Sequence, residues 1–285
     1  MCFFPQSIPI KKRVDGVLVK DGFRIVACGK CIQCMEQQSN SWAYRCMKEA
    51  ELYQKNCFIT LTYNENFLPP NGSLNRSDLQ KFVKRLRERI KPVKIRVFYC
   101  GEYGAHGLRP HYHLIVFNWK PDDLQKFFID KKGQQIYKSD FVQDVWSEYI
   151  YDDNFTRSRA PIGYVSVGDL TFESAKYCAK YLQKLNPPPE HCIPAFIGMS
   201  NRRGIGYNAV TPEILTHGGI YKDGKKISVP RYFMQVLEEG HDLESFKERK
   251  YYNFLYKMRI TDPHFEKTYE KGRKFYKKLL TKDKV

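Results

Sequence analysis

The sequence predicts an α+β protein in which an antiparallel sheet carries helices on one of its faces. Residues 94–102 and 111–118 are rich in β-branched and aromatic side chains and flank a stretch containing Gly and Pro, as in a β-hairpin. Residues 77–90 and 171–185 instead repeat apolar side chains at helical spacing. Antiparallel strands accompanied by amphipathic helices are typical of the α+β class.

The remaining elements follow in chain order. Before the hairpin, the patterns predict a Cys-rich loop at 28–34, a helix at 39–54, a strand at 57–63 and a loop at 64–74. After it they predict helices near 122–128 and 141–151, a strand at 163–167, and a helix at 171–185 that ends before three prolines. We therefore expect three regions: a Cys-rich segment with its helix at 1–56, a core at 57–186, and a loop-rich, helical, basic region at 187–285.

The helix at 77–90 has two contrasting faces. Ser77 and Gln80 form a capping box at its start. Its apolar residues share one stripe, which consists of Leu79, Phe82, Val83, Leu86 and Ile90. The basic residues of the other face are Lys81, Lys84, Arg85, Arg87 and Arg89. This basic face could contact phosphate or could simply be solvated, and both interpretations stay open.

The charge of the chain favours a polyanionic partner. Its 285 residues include 48 Lys and Arg against 31 Asp and Glu, which gives a formal net charge of +17. With 15% aromatic residues that can stack on bases, nucleic acid is the leading partner and a membrane surface the second. Apolar runs fall short of the roughly 20 residues of a membrane-spanning helix. Nine cysteines, an odd number, and the lack of a signal-like N-terminus indicate a reducing, cytoplasmic compartment.

The second strand of the hairpin contains a candidate metal site. Side chains alternate along a strand, so His111 and His113 share one face, while Tyr112 and Leu114 share the other. Neutral imidazoles are common ligands of divalent metals. Glu102, at the end of the partner strand, is the third candidate ligand. The alternative is that both histidines are merely polar residues on the wet face of an amphipathic strand.

The helix at 171–185 presents two phenols and two ammonium groups on one face. Tyr177, Lys180, Tyr181 and Lys184 follow the i, i+3, i+4, i+7 spacing of a helical stripe. A phenol has a pKa of about 10, and nearby cations and a metal would be needed to make it an effective nucleophile on phosphorus. The alternative is a surface stripe of tyrosines and solvated lysines, or lysines that anchor phosphate.

Three motifs together resemble a known enzyme superfamily. The segments Phe58-Ile-Thr-Leu-Thr62, Arg109-Pro-His-Tyr-His-Leu114 and Tyr177-Cys-Ala-Lys-Tyr181 resemble motifs one to three of the HUH endonucleases. The chain is most similar to the two-tyrosine replication initiators of gokushovirus-type single-stranded DNA phages over residues 28–235. Further matching segments are Cys28-Gly-Lys-Cys-Ile-Gln-Cys34, Cys100-Gly-Glu-Tyr-Gly104 and Met199-Ser-Asn-Arg-Arg-Gly-Ile-Gly206.

The resemblance implies rolling-circle replication by a metal-dependent, site-specific endonuclease with strand-joining activity in the host bacterial cytoplasm. One tyrosine, Tyr177 or Tyr181, would form a 5′-phosphotyrosine at the viral origin and free a 3′-OH for the host polymerase, acting with a host helicase. The other would later cut and circularise the displaced strand. His111, His113 and Glu102 would hold Mg²⁺ or Mn²⁺, and Lys180 would stabilise charge on the phosphate or phenolate.

Two further groups are candidate binding residues. Cys28, Cys31 and Cys34 have a spacing that suits structural Zn²⁺, but a fourth ligand is not adjacent; Cys46, Cys57, Cys2 and the histidines are candidates. The alternative is reduced, partly buried thiols. Candidate DNA contacts are Lys184, Arg109, Arg202 and Arg203.

Two other functions remain open from the sequence. One is a non-enzymatic basic DNA- or RNA-binding protein with a zinc knuckle, whose tyrosines stack on bases. The other is a transposase or plasmid relaxase of the same superfamily. A protein–DNA adduct that resists denaturation would separate the enzyme from the binding protein.

Overall fold

A computed structural model of the chain describes residues 2–15, 17–104, 107–130, 133–180, 190–212, 214, 220–222, 225–240, 243 and 247. It confirms the α+β class. The helices are α1 (Ile32–Ala50), α2 (Arg76–Arg89), α3 (Asp140–Val145), α4 (Phe172–Lys180) and α5 (Arg231–Glu238). The strands are β1 (Gln6–Val14), β2 (Val17–Val26), β3 (Asn56–Thr62), β4 (Arg96–Tyr103), β5 (Pro110–Phe117), β6 (Gln125–Ile129), β7 (Gln135–Lys138), β8 (Ser147–Tyr151), β9 (Arg157–Pro161), β10 (Val165–Gly168), β11 (Phe196–Met199), β12 (Ile220–Lys222) and β13 (Lys225–Ile227).

The chain divides into two compact units. One comprises Met1–Asn40, Pro212–Val229 and Leu237–Val285, and among its described residues it contains the hairpins β1–β2 and β12–β13. The other comprises Ser41–Thr211 and Pro230–Val236 and contains the main sheet. No helix in the described part of the chain is long and apolar enough to cross a membrane.

The main sheet has seven strands in the order β11-β4-β5-β3-β10-β7-β6, and every neighbouring pair is antiparallel. The predicted hairpin is β4–β5, and β5 lies between β4 and β3. Strand β5 therefore runs through the interior of the sheet, where polar side chains are shielded by neighbours on both sides.

Helices cover both faces of the sheet, so the expectation of helices on one face is wrong. On one face, Tyr112, Leu114 and Val116 pack in a cluster with α2 and α3. On the other, Ile115 and Phe117 pack with the C-terminal half of α1 and with α4. Because β5 is apolar on both faces after its two histidines, both faces lose solvent-exposed apolar area when they are covered.

Two predicted helices contain strands instead. Residues 125–129 form β6 rather than part of a helix at 122–128, and the helix expected over 141–151 ends at Val145 and is followed by β8. Both apolar runs are short, and short runs suit either structure until pairing decides. Here β6 pairs with β7 at the end of the sheet, and β8 pairs with β9.

Two helix starts also differ from the prediction. Helix α1 begins at Ile32, so Cys34 lies in the helix and not in a loop. Helix α2 begins at Arg76, and its N-cap is Asn75, whose side chain accepts a hydrogen bond from Ser77 N at 2.9 Å. An Asn side chain satisfies an N-terminal amide as well as Ser does, so the earlier residue caps the helix. The predicted apolar stripe of α2 is buried at Leu79, Phe82, Val83 and Leu86.

Tyrosine hydroxyls join the central strands to the start of α2. The Tyr112 hydroxyl donates to Asn75 O at 2.8 Å and accepts from Asn75 N at 2.7 Å. It also lies 2.9 Å from the Tyr63 hydroxyl, which donates to Asp78 at 2.8 Å. Burial raises the pKa of Tyr112 to about 12, so the phenol stays protonated. The side of β5 that faces away from the histidines is thus fixed to α2.

Tyr112→Phe is expected to lower the free energy of unfolding by about 1–3 kcal/mol, because both backbone groups of Asn75 lose a buried partner. Urea unfolding followed by circular dichroism measures this difference. Tyr151→Phe is the matched control, since Tyr151 is exposed at the end of β8. Equal stability of the two variants would contradict the role given to the Tyr112 hydroxyl.

Candidate active site

The candidate site lies on the face of β5 that α4 covers. Strand register pairs His111 with Glu102 of β4 and Thr62 of β3, and pairs His113 with Thr60 of β3. Directly paired residues project on the same face, because the pleats of neighbouring strands are in phase. The structure therefore brings the predicted residues Glu102, His111 and His113 to one face.

Glu102 is a buried carboxyl group at the centre of this site. Its side chain belongs to a residue that is 3% exposed. Its Oε1 lies 2.9 Å from His113 Nε2, and the Tyr177 hydroxyl donates to the same oxygen at 3.1 Å. One carboxylate oxygen thus connects a residue of the hairpin to a residue of α4.

His113 is oriented by contacts on each side of its ring. Its Nδ1 lies 3.0 Å from the Thr60 hydroxyl. When Nε2 donates to the Glu102 carboxylate, Nδ1 accepts from this hydroxyl; since a hydroxyl both donates and accepts, Thr60 supports either tautomer. The ring also stacks on Phe58 and meets the edge of Tyr177, with centroids 5.7 Å and 5.0 Å away.

His111 is held so that Nε2 carries the lone pair. Its Nδ1 donates to Arg109 O at 2.7 Å, because a carbonyl oxygen can only accept. Burial lowers the pKa of His111, which keeps the ring neutral near pH 7. A Cβ at Gly104 would lie 2.9 Å from His111 Cε1, so the glycine leaves room for this ring position.

These side chains form a suitable donor set for a divalent cation. Two imidazoles and a carboxylate suit metals that accept nitrogen and oxygen ligands, and the contacts of His111 and His113 to a carbonyl and a hydroxyl are typical of ligand histidines. Their ligand atoms are not gathered around a common centre: within the described ranges, a cysteine cluster is the one group of three or more with all ligand atoms within 4.8 Å. An ion bound here would replace the hydrogen bond between His113 and Glu102.

Helix α4 positions the predicted tyrosine. The helix starts with reciprocal hydrogen bonds between Thr171 and Ser174, in which each backbone amide donates to the other residue's hydroxyl at 2.8 and 3.1 Å. Its small residues Ala175 and Cys178 pack on the sheet. This close packing carries Tyr177, which is 37% exposed, over the histidines.

The rest of the tyrosine-lysine stripe is described only in part. Lys180 is exposed at the last described residue of α4. Tyr181 and Lys184 lie outside the described residues, as does most of the basic tail predicted after residue 241. The structure thus places one of the two predicted tyrosines at the site.

The candidate DNA contacts differ in their surroundings. Arg109 donates to Tyr63 O at 2.8 Å and pairs with Glu65, so it fixes the loop after β3. Arg202 and Arg203 are exposed, and their carbonyl oxygens accept hydrogen bonds from Arg96 at 3.3 and 2.8 Å. Their guanidinium groups remain at the surface of a turn whose backbone is held from below.

The basic face of α2 lies on the other side of the sheet from the histidines, since α2 packs against Tyr112 and Leu114. Several of its cations are paired within the protein: Arg89 with Asp144, and Lys81 with Glu148 at 3.7 Å. This arrangement favours the solvated, ion-paired interpretation of that face.

Sequence reasoning assigned no role to three residues of the site. Thr60 contacts His113, Gly104 makes room for His111, and Tyr164 accepts a hydrogen bond from the Thr62 hydroxyl through its carbonyl at 3.3 Å. Exposed Tyr164 lines an open cleft beside His111. The alternation of Thr60 and Thr62 along β3 was the one available signal for their position.

The cysteine cluster consists of Cys2, Cys28, Cys31 and Cys34. It lies in the first compact unit, and its four sulfurs are within 4.8 Å of one another, so it could hold a structural metal such as zinc. Of the candidates for a fourth ligand, the structure brings Cys2 to the other three.

Comparison with known proteins gives consistent matches. Residues 56–186 match the family model of the replication-associated protein ORF2. The replication-associated protein ORF2 of Spiroplasma virus 4 is 31% identical over 251 residues, which are 79% of this chain and 72% of that protein. The replication-associated protein VP4 of Bdellovibrio phage phiMH2K is 28% identical over 230 residues, or 75% and 68% of the two chains.

A third relative is the replication-associated protein ORF4 of Chlamydia phage 1, which is 28% identical over 249 residues; these are 82% of this chain and 59% of that protein. No solved structure matches the chain. The matched family model covers the main sheet from β3 to the end of α4, including both histidines, Glu102 and Tyr177. On these similarities, the chain belongs to the replication-associated proteins of Microviridae-type phages.

Proposed function

We propose that this replication-associated protein starts rolling-circle replication by cutting one strand of the viral origin with Tyr177. The observation that carries the proposal is the contact between the Tyr177 hydroxyl and Glu102 at 3.1 Å, beside His113. A surface tyrosine has no need of a buried carboxylate, whereas a nucleophile has to be held and activated. The family membership supports a role in replication of viral DNA.

The chemical step is a transesterification. The Tyr177 oxygen attacks phosphorus and forms the phosphotyrosine bond, the bond from phosphorus to the 3′ oxygen breaks, and the leaving oxygen takes up a proton as a 3′-OH. Glu102 Oε1 already accepts the phenolic hydrogen bond, so it can receive the proton as the phenol attacks. The number of phosphoester bonds is unchanged, and the covalent bond to tyrosine is available for later joining.

The metal ligands in this proposal are His111, His113 and Glu102. Mg²⁺ or Mn²⁺ held by these side chains would polarise the scissile phosphate. The protein's own part is orientation: Arg109 O fixes the ring of His111, and the Thr60 hydroxyl fixes that of His113. Both contacts come from the backbone or the neighbouring strand, so they exist before DNA binds.

The second half of the reaction belongs to Tyr181. On a continued α4 it would lie one turn beyond Tyr177, which suits a second attack on the regenerated origin. The freed 3′-OH would then attack the first phosphotyrosine and circularise the strand. Lys180 and Lys184 would hold phosphates nearby, while Arg202 and Arg203 contact the backbone of the strand and Arg109 positions the loop beside it.

The partners that follow are viral origin DNA, single-stranded at the cut, and the host polymerase and helicase that extend the 3′ end. The host bacterial cytoplasm is the compartment where these meet. The net charge of +17 would serve to hold the DNA across the cut and reduce strand loss.

The test is a covalent adduct assay. Incubating the protein with labelled single strands of the phage origin and Mn²⁺ or Mg²⁺ is expected to give a protein–DNA band that survives denaturing electrophoresis. A chelator should abolish the band, and a scrambled strand should reduce it. Salt-sensitive DNA binding without any adduct would instead support a non-enzymatic nucleic-acid-binding protein.

A further inference from the structure

We propose that Cys2, Cys28, Cys31 and Cys34 bind a single Zn²⁺ ion that closes the base of the β1–β2 hairpin and joins it to the start of α1. The site is independent of the proposed nuclease chemistry. It lies wholly within the first compact unit, whereas Glu102 and Tyr177 lie in the second.

The distances between the sulfurs fit one tetrahedral ion. Cys31 Sγ lies 3.4 Å from Cys34 Sγ and 3.9 Å from Cys2 Sγ, and Cys28 Sγ lies 3.9 Å from Cys34 Sγ. Zinc–thiolate bonds of about 2.3 Å in a tetrahedron place the sulfurs about 3.8 Å apart. A disulfide requires sulfurs about 2.05 Å apart, and all nine cysteines are free thiols. Four sulfurs at this spacing therefore surround a volume suited to a single ion.

Backbone amides supply the surroundings that thiolate ligands require. Phe3 N donates to Cys31 Sγ at 3.4 Å, Cys28 N to Cys2 Sγ at 3.1 Å, and Cys31 N to Cys28 Sγ at 3.3 Å. Hydrogen bonds of this kind stabilise the negative charge that four thiolates and one Zn²⁺ leave over, and they fix the ligand positions. Three of the four ligands therefore accept a donor in the folded chain before any ion is considered.

A four-iron cluster is the main chemical alternative, because three cysteines at C-x-x-C-x-x-C spacing with a distant fourth also occur in iron–sulfur proteins. In such a cluster each thiolate binds a different iron atom. The sulfurs are then farther apart than when they share one ion. Contacts of 3.4–3.9 Å therefore favour a single metal ion.

The position of the ligands gives the ion a structural role. Cys2 precedes β1 by four residues, Cys28 follows β2 by two, and Cys34 lies in the first turn of α1. A two-stranded hairpin alone is at best marginally stable, and this one exposes Val17 and Phe23 by 64% and 60%. An ion that joins both strand ends to a helix would supply the stability that the hairpin's own packing lacks.

The experiment begins with the metal content of the full-length protein, purified under reducing conditions without added metal and dialysed. Mass spectrometry of the elements is expected to give one zinc per chain and no matching iron or sulfide. Cys2→Ser should lower the zinc affinity by about tenfold or more in competition with a chromophoric chelator. Cys192→Ser is the matched control, because Cys192 is a buried thiol outside the cluster and a Ser hydroxyl can keep its contact to Asn71 O.

Two further measurements distinguish zinc at the four cysteines from zinc bound elsewhere on the chain. The double variant His111→Ala, His113→Ala should keep its zinc, which excludes binding at the catalytic face as the source. Co²⁺ in place of Zn²⁺ should give the intense visible absorption of a tetrahedral thiolate site, weaker in Cys2→Ser. Removal of the ion from the unaltered chain should speed tryptic cleavage at Lys20 and Arg24 of β2.

Full zinc retention by Cys2→Ser, or zinc lost with the two histidines, would overturn the assignment. So would stoichiometric iron and sulfide, or a metal-free protein whose four thiols react as fast as exposed cysteines. A Cys2→Ser chain that fails to fold would leave the Co²⁺ spectrum and the chelator-dependent proteolysis of the unaltered protein to decide.

Discussion

Tyr177→Phe is expected to lower the rate of the first covalent adduct by about 10³-fold or more, the scale seen when a nucleophile is deleted. The change removes the attacking oxygen and its hydrogen bond to Glu102, while the aromatic ring can keep its edge contact with His113. The measurement is single-turnover adduct formation with a labelled origin strand. Tyr181→Phe should keep this first adduct and lose strand joining.

The matched control is Tyr151→Phe, which removes an exposed phenol from the end of β8 and should leave adduct formation unchanged. DNA affinity across a salt titration should be the same for all three variants, because no cation is changed. If Tyr177→Phe kept the first adduct and Tyr181→Phe lost it, Tyr181 would be the first nucleophile and the order proposed here would be wrong.

Glu102→Gln should reduce cleavage by about 10- to 100-fold without loss of fold. The amide has nearly the same shape, so it can still accept from the Tyr177 hydroxyl, but it no longer offers a negative charge to a cation or a base to the phenol. The measurement is the cleavage rate as a function of Mn²⁺ concentration. A metal-binding role predicts partial recovery at high Mn²⁺, whereas a role only in proton transfer predicts none.

Glu88→Gln serves as the control, since Glu88 pairs with Lys91 on an exposed part of α2 and should not affect cleavage. DNA binding without metal should be similar in both variants. Cleavage by Glu102→Gln at the unaltered rate and at the same Mn²⁺ dependence would remove Glu102 from both proposed roles.

Local sequence patterns predicted much of the central sheet. The alternation along β5 placed His111 and His113 opposite Tyr112, and the structure has Tyr112 packed with α2 and His113 beneath α4. The hairpin β4–β5 and the apolar stripe of α2 are also as predicted. These features depend on which face a side chain occupies, and a period of two or of 3.6 residues encodes that directly.

Other elements could not be predicted in this way. Strand β6 was taken for a helix, because a short apolar run gains its identity from the strand it pairs with, here β7. The hairpin β1–β2 is largely exposed and lacks a clear alternation of buried and exposed residues. The coverage of both sheet faces depends on the path of α1 and α4, which no local pattern specifies.

The sequence by itself determined the chemical groups available to this protein: two histidines on one strand face, tyrosines and lysines at helical spacing, three closely spaced cysteines and a large positive charge. Only the tertiary structure decided which of them meet. Tyr177 reaches Glu102 across 75 residues of chain, and Cys2 reaches Cys31 across 29. Periodicity is a property of neighbouring residues, whereas contacts between distant segments are fixed by strand register and packing, and these are established only when the whole chain folds.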